Sequence, residues 1–254
     1  MSTDLIQAPV PPYLDALIRL FAGDSQLITP QQREQFGKEL AHRKMLPSKD
    51  MMVMWDLLHE LVDPAWRPDD TCSILDLACG RCEEVFVLSS FLASRMENLR
   101  PECVKFFASD IREGILMRGK ESCAQTCRYF EHEVGGKYSP FRYAFRAGDA
   151  TLPETWATFP EQFDVVFFRH QNMYHGMDIW TKIFANVLPR LKPNGRLIIT
   201  SYFDREHTIA LNVFKSLGAE LIKTIRNPRS RILVTEGKSV DRHIAILQVC
   251  DKVQ

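Results

Sequence analysis

A strand-like run that ends in a turn of small residues, within residues 73–84, constrains the fold of this chain more than any other feature. The run is apolar apart from Ser73 and Asp76, and an amphipathic segment follows the turn. A strand, a tight turn and a helix in this order let the backbone approach a nucleotide-like ligand closely. Asp110 ends the next strand-like run. The number of residues between the turn and Asp110 is about that at which a βαβ unit places an acid against a ribose. These segments together predict a ligand crevice between two adjacent parallel strands.

From Cys72 onward, strand-like and helical patterns alternate along the chain. The strand-like runs are 73–77, 104–109, 142–147, 163–168, 196–202, 219–225 and 243–249. The helical patterns are 83–97, 112–130, 177–191 and 206–217. This alternation predicts an α/β fold with a doubly wound, mostly parallel, seven-stranded sheet. Residues 226–241 hold no obvious helix, so we expect the last two strands to form an antiparallel pair.

The first 70 residues differ from the rest of the chain. Helical patterns occur at 13–22, 30–45 and 48–62, and Thr29 and Ser48 are start signals for the second and third. Pro64 and Pro68 then interrupt the pattern in a polar linker. We therefore expect residues 1–70 to form a helical N-terminal extension that caps the ligand site of a domain formed by residues 71–254. A turn at residues 193–195 is expected directly before the fifth strand.

Composition, net charge and cysteine count limit the classes of protein to which the chain can belong. The chain has 254 residues, 45% hydrophobic and 25% charged, which suits a globular protein with a sizeable core. Its 32 Lys and Arg residues balance 32 Asp and Glu residues, which gives no support for general nucleic-acid binding or attraction to a membrane surface. No apolar run approaches the about 20 residues of a membrane span, and we identify no secretory signal. Seven cysteines, an odd number, indicate reduced thiols and a cytoplasmic location.

Four short motifs occur along the alternating part of the chain. Residues 76–80 read Asp-Leu-Ala-Cys-Gly, Asp110 ends the second strand, residues 148–150 read Gly-Asp-Ala, and residues 191–197 read Leu-Lys-Pro-Asn-Gly-Arg-Leu. In this order and spacing the motifs resemble those of the class I S-adenosylmethionine-dependent methyltransferases, over roughly residues 72–250. The resemblance implies a Rossmann-like fold and S-adenosyl-L-methionine as the cofactor.

The resemblance assigns cofactor roles to residues at the ends of the first four strands. It implies that Asp76 organises the turn and reaches the cofactor amine, that Asp110 binds the ribose hydroxyls, and that Asp149 contacts adenine. An ionised carboxylate suits a diol because it presents two acceptor oxygens. Each acid could instead cap a helix or form a turn, since Asp favours both. The full predicted set is Asp76, Ala78, Cys79, Gly80, Glu84, Asp110, Ile111, Gly148, Asp149, Ala150 and Arg169.

Two positions depart from the Asp-x-Gly-x-Gly-x-Gly loop of the family. Ala78 replaces the first glycine, a mild change where φ remains negative, and Cys82 replaces the third and adds bulk near the ligand. These departures favour one alternative, a catalytically inactive methyltransferase-fold protein that serves as a partner-binding or regulatory subunit. A second alternative, a nicotinamide-dependent oxidoreductase, would need Gly-x-Gly-x-x-Gly after the first strand, which this turn does not supply.

A weaker resemblance connects the chain with the chemotaxis-receptor glutamate methyltransferases. The paired glutamates at residues 83–84 follow the first strand, and Arg169 and Tyr174 follow the fourth, as in motifs of that family. Cys82 and His170 stand where that family has glycine and asparagine. The resemblance raises carboxylate methylation of a protein as a narrower alternative and does not assign the substrate.

The polar segment after the fourth strand holds the candidate catalytic residues. Ligand crevices of open α/β sheets lie at this edge of the sheet. A sulfonium methyl group is already activated, so a methyltransferase mainly positions donor and acceptor and removes a proton where necessary. His170 and His175 are candidate general bases, and Tyr174 is a candidate for orienting the acceptor. The alternative is a polar loop whose histidines cap the next helix.

Two cysteine spacings allow a metal site. Cys79 with Cys82, and Cys123 with Cys127, could together form a four-thiolate zinc site. The first pair lies in the predicted cofactor turn and the second within a helical pattern, so we expect no metal and interpret the cysteines as small residues of a turn and a core.

The sequence thus predicts an S-adenosylmethionine-dependent methyltransferase that acts on an oxygen or nitrogen acceptor. The acceptor is expected on a small molecule or a protein side chain. Neither general nucleic-acid binding nor membrane binding is expected, and the sequence does not indicate an oligomeric state.

Overall fold

A seven-stranded sheet forms the centre of the molecule in this computed structural model, which describes residues 12–23, 29–134, 139–171 and 173–249. The strands are β1 (Cys72–Leu77), β2 (Val104–Asp110), β3 (Phe141–Ala147), β4 (Phe163–Arg169), β5 (Leu191–Ser201), β6 (Ala219–Arg226) and β7 (His243–Val249). Their order is β3-β2-β1-β4-β5-β7-β6. β7 runs antiparallel to β5 and β6, whereas the other neighbouring pairs are parallel. The predicted doubly wound, mostly parallel sheet and its antiparallel last pair are confirmed.

The helices lie close to the predicted positions. They are α1 (Pro12–Ala22), α2 (Pro30–His42), α3 (Lys49–Leu61), α4 (Val85–Arg95), α5 (Glu113–Val134), α6 (Pro153–Trp156), α7 (Met177–Val187) and α8 (Asp204–Ser216). Thr29 caps α2 in a capping box, and Ser48 caps α3, so both predicted start signals are confirmed. The short helix α6 was not predicted. Among the described residues, no helix combines the length and the hydropathy of a bilayer-spanning segment.

Both faces of the sheet are covered, because successive strand residues point to opposite faces. Ile74 and Phe167 belong to one hydrophobic core, which they share with α1, α3, α4 and α5. Leu75 and Phe168 belong to the other core, which they share with α7 and α8. The central strands β1 and β4 are therefore buried on both sides, and only their ends can offer polar groups to a ligand.

The N-terminal helices pack on the sheet through the first of these cores. α1 lies on α4, and Phe21 stacks on Phe130 of α5 with ring centroids 4.2 Å apart. α3 also reaches the connection between β6 and β7, where Asp50 forms an ion pair with Arg231 at 2.5 Å. These helices share a core with the sheet, and the division of the chain at residues 70 and 71 stays a prediction.

Strand β5 begins earlier than predicted. Leu191 already pairs with Phe163 of β4, whereas Arg196 pairs with Val165. β5 thus advances five residues while β4 advances two, and the predicted turn at residues 193–195 forms a bulge inside the strand. Pro193 lies within this irregular stretch, which is where a strand tolerates proline. The prediction of a turn directly before the strand is therefore wrong, because pairing with β4 keeps residues 193–195 inside β5.

Candidate functional site

A cavity of about 460 Å³ opens at the carboxyl ends of β1, β2 and β3, beside the start of α7. Its volume is in the range of small-molecule and cofactor sites. Seven predicted site residues line it, namely Ala78, Asp110, Ile111, Gly148, Asp149, Ala150 and His175. Lining residues that were not predicted are Leu77, Ser109, Arg112, Thr151, Gly176, Ile179, Trp180 and Ile183. None of these described lining residues comes from α1–α3, so the predicted cap does not form part of this wall.

The cavity wall combines apolar side chains with two acids. Leu77 of β1 and Ile179 and Trp180 of α7 supply apolar surface, which is typical of small-molecule sites. Asp149 follows β3, and its Oδ1 accepts hydrogen bonds from the backbone N–H and the hydroxyl of Thr151 at 2.9 and 2.8 Å. These bonds lower the pKa of Asp149. Its Oδ2 has no hydrogen-bond partner among the described residues and remains a free acceptor.

Asp110 lies at the end of β2 with both carboxylate oxygens engaged. The Gly80 N–H donates to Oδ2 at 2.8 Å. Arg112 donates from its backbone N–H at 2.8 Å and its Nε at 3.0 Å to Oδ1, and from Nη2 at 3.0 Å to Oδ2. Burial raises the pKa of Asp110, but the hydrogen bonds from Arg112 and Gly80 outweigh burial and lower it. The carboxylate is therefore ionised, and it connects the turn after β1 to the end of β2.

The turn after β1 has a left-handed backbone at alternate residues. φ is +56° at Ala78, +57° at Gly80 and +51° at Cys82. Alanine is a mild replacement for glycine only where φ is negative, so Ala78 is not a mild change here, and a left-handed φ costs a non-glycine residue about 1–2 kcal/mol. The Cys79 N–H donates to the carbonyl of Ser109 at 3.1 Å, and the Cys82 N–H donates to the carbonyl of Cys79 at 2.9 Å. The first bond holds the strained turn against β2 and the second closes the turn on itself, and backbone strain of this kind is characteristic of functional sites.

Asp76 lies beneath this turn, where it is fully buried and neither carboxylate oxygen has a hydrogen-bond partner. Burial, followed by the charge of Glu84, raises its pKa well above the ordinary value, and Arg169 offsets this only in part. Buried polar atoms are nearly always hydrogen-bonded, so a carboxylate without any partner indicates a group that the described residues do not supply. Asp76 is not among the residues that line the cavity, and its predicted contact with the cofactor amine stays a prediction.

Asp76 also lies near two thiols. One ligand atom each of Asp76, Cys79 and Cys82 lies within 4.8 Å of the others, and no further described residue joins this group. Cys123 and Cys127 lie outside it, so the four-thiolate arrangement is not assembled. All six described cysteines are free.

Glu84 and Arg169 form a buried ion-pair network away from the cavity wall. Nη1 of Arg169 donates to Glu84 Oε1 at 2.9 Å, and its Nε and Nη2 donate to the two oxygens of Asp241 at 3.1 and 2.8 Å. Burial lowers the pKa of Arg169, but the charges of Asp241 and Glu84 outweigh burial and raise it. Glu84 and Arg169 therefore bind each other, and Asp241, which was not predicted, completes the network.

The three candidate catalytic residues lie in different surroundings. His170 is mostly buried, and its Nε2 lies 2.7 Å from Oδ1 of Asp241. Tyr174 is 41% exposed and packs edge-on against Phe203 with ring centroids 5.9 Å apart. His175 is exposed and lines the cavity. The segment after β4 thus connects the cavity to a neighbouring aromatic surface.

Solved structures with this architecture superimpose on most of this chain, but their sequence identity to it is low. An S-adenosylmethionine-dependent methyltransferase from Clostridium acetobutylicum superimposes with a TM-score of 0.52 at 10% identity, covering 88% of this chain and 100% of that one. The N-methyltransferase NodS from Bradyrhizobium japonicum superimposes with a TM-score of 0.52 at 12% identity, covering 81% and 100%. The fold is that of the class I S-adenosylmethionine-dependent methyltransferases. These structures give no support to the narrower resemblance to chemotaxis-receptor enzymes.

Comparisons of the sequence with family models and with curated proteins add no evidence to the structural comparison. No protein-family model matches the chain, and no curated protein matches it. The evidence for the methyltransferase fold is therefore structural.

Within this methyltransferase fold, Asp76 and Glu84 are buried acids near Arg169. Burial raises the pKa of both carboxyl groups, which favours their neutral forms in the free protein. A positively charged ligand next to Asp76 would favour its ionised form instead.

Proposed function

We propose that this protein is an S-adenosylmethionine-dependent methyltransferase that acts on an oxygen or nitrogen acceptor of a small molecule or a protein side chain. The observation that carries the proposal is the cavity at the ends of three parallel strands, with Asp110 and Asp149 in its wall. In open α/β sheets, ligands bind in the crevice at the carboxyl ends of the strands. The methyltransferase fold supports the same conclusion.

The residues around the cavity fit the separate parts of the cofactor. Asp110 would accept from the ribose hydroxyls, in place of the Arg112 guanidinium that it binds in the free protein. The free Oδ2 of Asp149 would accept from the adenine amine, with the ring against Leu77 and Trp180. Asp76 would face the ammonium group, because both of its buried oxygens lack a partner. The cofactor would thus bring a cation to a carboxyl group that has no partner among the described residues, and this cation would favour its ionised form.

S-adenosylmethionine, when bound, supplies a methyl group on a positively charged sulfur. This methyl group is already electrophilic, so the protein's residues contribute binding, orientation and removal of a proton from the acceptor. The strained turn at residues 78–82 keeps its N–H groups fixed at the end of β1. A site held in this way loses little conformational entropy when the ligand binds.

The proposed setting is the cytoplasm. Six cysteines among the described residues are free, and thiols of this kind persist in a reducing compartment. The proposed partner is the methyl acceptor itself, a small molecule or a protein.

Calorimetric titration with S-adenosylmethionine and S-adenosylhomocysteine tests the proposal. We expect both to bind, and Asp110→Ala to weaken each at least tenfold, or about 1.4 kcal/mol. Asp70→Ala is the matched control, because Asp70 is an exposed acid on the linker, remote from the cavity wall. Binding of neither compound would contradict the proposal and support the alternative, a catalytically inactive subunit that binds a partner.

A further inference from the structure

We propose that Asp76, Cys79 and Cys82 form a binding site for a zinc ion, and that the bound ion and S-adenosylmethionine exclude each other. The exclusion rests on the proposed function, whereas the metal site itself is independent of it. The proposed methyl transfer uses neither thiol group, so the site gives the turn after β1 a second property.

The two cysteines of this turn have the spacing of zinc ligands. Cys-x-x-Cys is a common part of zinc sites, which bind the ion through sulfur, nitrogen and carboxylate oxygen atoms. The Cys82 N–H donates to the carbonyl of Cys79 at 2.9 Å, so the chain closes on itself between the two cysteines. Both sulfur atoms and one carboxyl oxygen of Asp76 lie within 4.8 Å of one another. The expectation of no metal considers the thiols alone, whereas the fold adds a carboxyl group to this pair.

Asp76 distinguishes this group from an ordinary pair of core cysteines. Its side chain is fully buried, and neither oxygen has a hydrogen-bond partner among the described residues. Buried polar atoms are nearly always hydrogen-bonded, so a carboxyl group without a partner points to a ligand from outside the protein. A cation that binds to both sulfur atoms would also contact this oxygen. Thiolate ligands select zinc over magnesium and calcium, which prefer oxygen ligands alone.

The three ligand atoms need to move little to bind the ion. Zinc–sulfur and zinc–oxygen distances of about 2.3 and 2.1 Å place the ligand atoms of a tetrahedral site roughly 3.5–3.8 Å apart. Since the observed separations do not exceed 4.8 Å, the atoms would have to approach one another by about 1 Å. Three protein ligands leave the fourth position of the tetrahedron for a water molecule.

A second cavity gives the ion a path to the thiols. Cys82 lines this cavity, which has a volume of about 390 Å³ and lies between the turn and α5. Its lining includes the exposed residues Arg81, Glu83 and Arg118, so it opens at the surface. Cys82 does not line the cofactor cavity, and the ion can therefore arrive by a separate route.

The binding step balances in protons and charge. Zinc binds thiolates and a carboxylate, so the two thiols and the carboxyl group of Asp76 each release a proton to solvent. The two positive charges of the ion then compensate most of the negative charge of its three ligands. The step needs no oxidant and no reductant.

Zinc at this site would compete with the cofactor for Asp76. The proposed function places the ammonium group of S-adenosylmethionine against the same buried carboxyl group. Two cations at one carboxylate repel each other strongly in a buried setting, so each should weaken the binding of the other. By thermodynamic linkage the two effects have the same size.

The first test needs no cofactor. Full-length reduced protein is titrated with Cd²⁺, a soft ion that replaces zinc and whose bonds to thiolates absorb ultraviolet light. We expect a band that saturates at one ion per chain, and Cys82→Gly should lower the affinity for Cd²⁺ at least about 100-fold. Glycine suits the left-handed φ of residue 82, so this variant keeps the turn. Asp76→Asn should weaken binding and keep the band of each bound ion, because both thiolates remain.

Cys127→Ser is the matched control. Cys127 is also buried, but it lies on α5 outside the group of Asp76 and the two thiols. The control should keep both the band and the affinity. X-ray absorption at the zinc edge of the unmodified protein should show two sulfur ligands, a result that depends on no variant. The metal site is overturned by the lack of a saturable band, by an unchanged affinity in Cys82→Gly, or by a zinc ion with four sulfur ligands or none.

The second test measures the exclusion by calorimetry with S-adenosylhomocysteine. Zinc at ten times its own Kd should lower the apparent affinity of the original protein about tenfold, and it should have no such effect in Cys82→Gly. Equal affinities with and without zinc in the original protein would overturn the exclusion. If the protein binds neither S-adenosylmethionine nor S-adenosylhomocysteine without zinc, the proposed function fails, and the Cd²⁺ titration still decides whether the metal site exists.

Discussion

The guanidinium of Arg112 covers the carboxylate of Asp110, with Nε and Nη2 each 3.0 Å from one of its oxygens. Arg112 is 59% exposed, whereas Asp110 is almost fully buried, so the arginine is the member of the pair that can move away. In the free protein, Arg112 therefore occupies the carboxylate oxygens that would accept hydrogen bonds from the ribose hydroxyls.

Replacing Arg112 by alanine should strengthen cofactor binding. The backbone N–H of residue 112 and the Gly80 N–H still bond to Asp110, and the ribose no longer has to displace a guanidinium. A pair whose arginine is exposed to solvent contributes on the order of 1 kcal/mol, which corresponds to a gain of up to about fivefold in affinity. Calorimetry with S-adenosylhomocysteine measures the change, and Arg100→Ala is a control at an exposed ion pair outside the cavity. A tenfold loss would mean that Arg112 itself binds the ligand.

Replacing Asp76 by asparagine should change how stability depends on pH. The pKa of Asp76 is raised by burial and by Glu84, so the native state holds its proton more tightly than the unfolded chain does. The stabilisation that this group contributes is therefore lost as the pH rises from its ordinary pKa of 3.8 toward its raised pKa. Urea unfolding at pH 5 and pH 8 measures this effect. The free energy of unfolding of the variant, relative to that of the original protein, should increase as pH rises. A constant difference would contradict the raised pKa.

The same Asp76→Asn variant should bind S-adenosylmethionine at least tenfold more weakly, or about 1.4 kcal/mol, because the ammonium group loses its anionic partner. The exposed Asp70→Asn is the matched control. An unchanged affinity for S-adenosylmethionine would show that its ammonium group does not bind at Asp76.

Gly119 allows α5 to approach the strained turn. A Cβ at this position would lie 2.5 Å from the carbonyl oxygen of Arg81, so Gly119→Ala should displace the turn and destabilise the protein by about 1–3 kcal/mol. Gly114 lies on the same helix with open space around it, and Gly114→Ala should stabilise the protein by about 0.5–1 kcal/mol. Chemical unfolding measures both. Equal effects of the two substitutions would show that the close approach is unimportant.

His207 should make the protein less stable in mild acid. Its ring lies between Ser201 and Thr224, and burial lowers its pKa from 6.5 to about 4. The unfolded chain takes up a proton below pH 6.5 while the native ring stays neutral, so stability is lost as pH falls from there toward 4. Between pH 7 and pH 5, the original protein should lose about 2 kcal/mol relative to His207→Asn in urea unfolding. The exposed His132→Asn should show no such difference.

The sequence predicted the sheet well because the buried central strands are short, mostly apolar runs that alternate with helical patterns. It failed where tertiary pairing overrides a local signal: the proline and glycine at 193 and 195 indicate a turn, yet pairing with β4 extends β5 back to Leu191. The helix α6 has four residues, too few for a helical period to appear.

At the candidate site, the sequence located the acids and missed the groups that bind them. Asp110 and Asp149 follow strands directly, so topology alone brings them to the cavity. Asp241 is far along the chain from its partner Arg169, and it lies in a polar connection whose pattern indicates only a loop. The periodicity of α7 predicts a helix, but it does not show that Trp180 faces the cavity. The left-handed φ of Ala78 depends on bonds between the turn and β2, which no local pattern reveals.

A crystal structure of the protein in complex with S-adenosylhomocysteine tests the central claim most directly. We predict the nucleoside in the cavity, with its ribose hydroxyls on Asp110, the Arg112 guanidinium displaced, and the amino group facing Asp76. A nucleoside bound elsewhere, or a cavity that stays empty with Arg112 still on Asp110 at saturating ligand, would contradict the account.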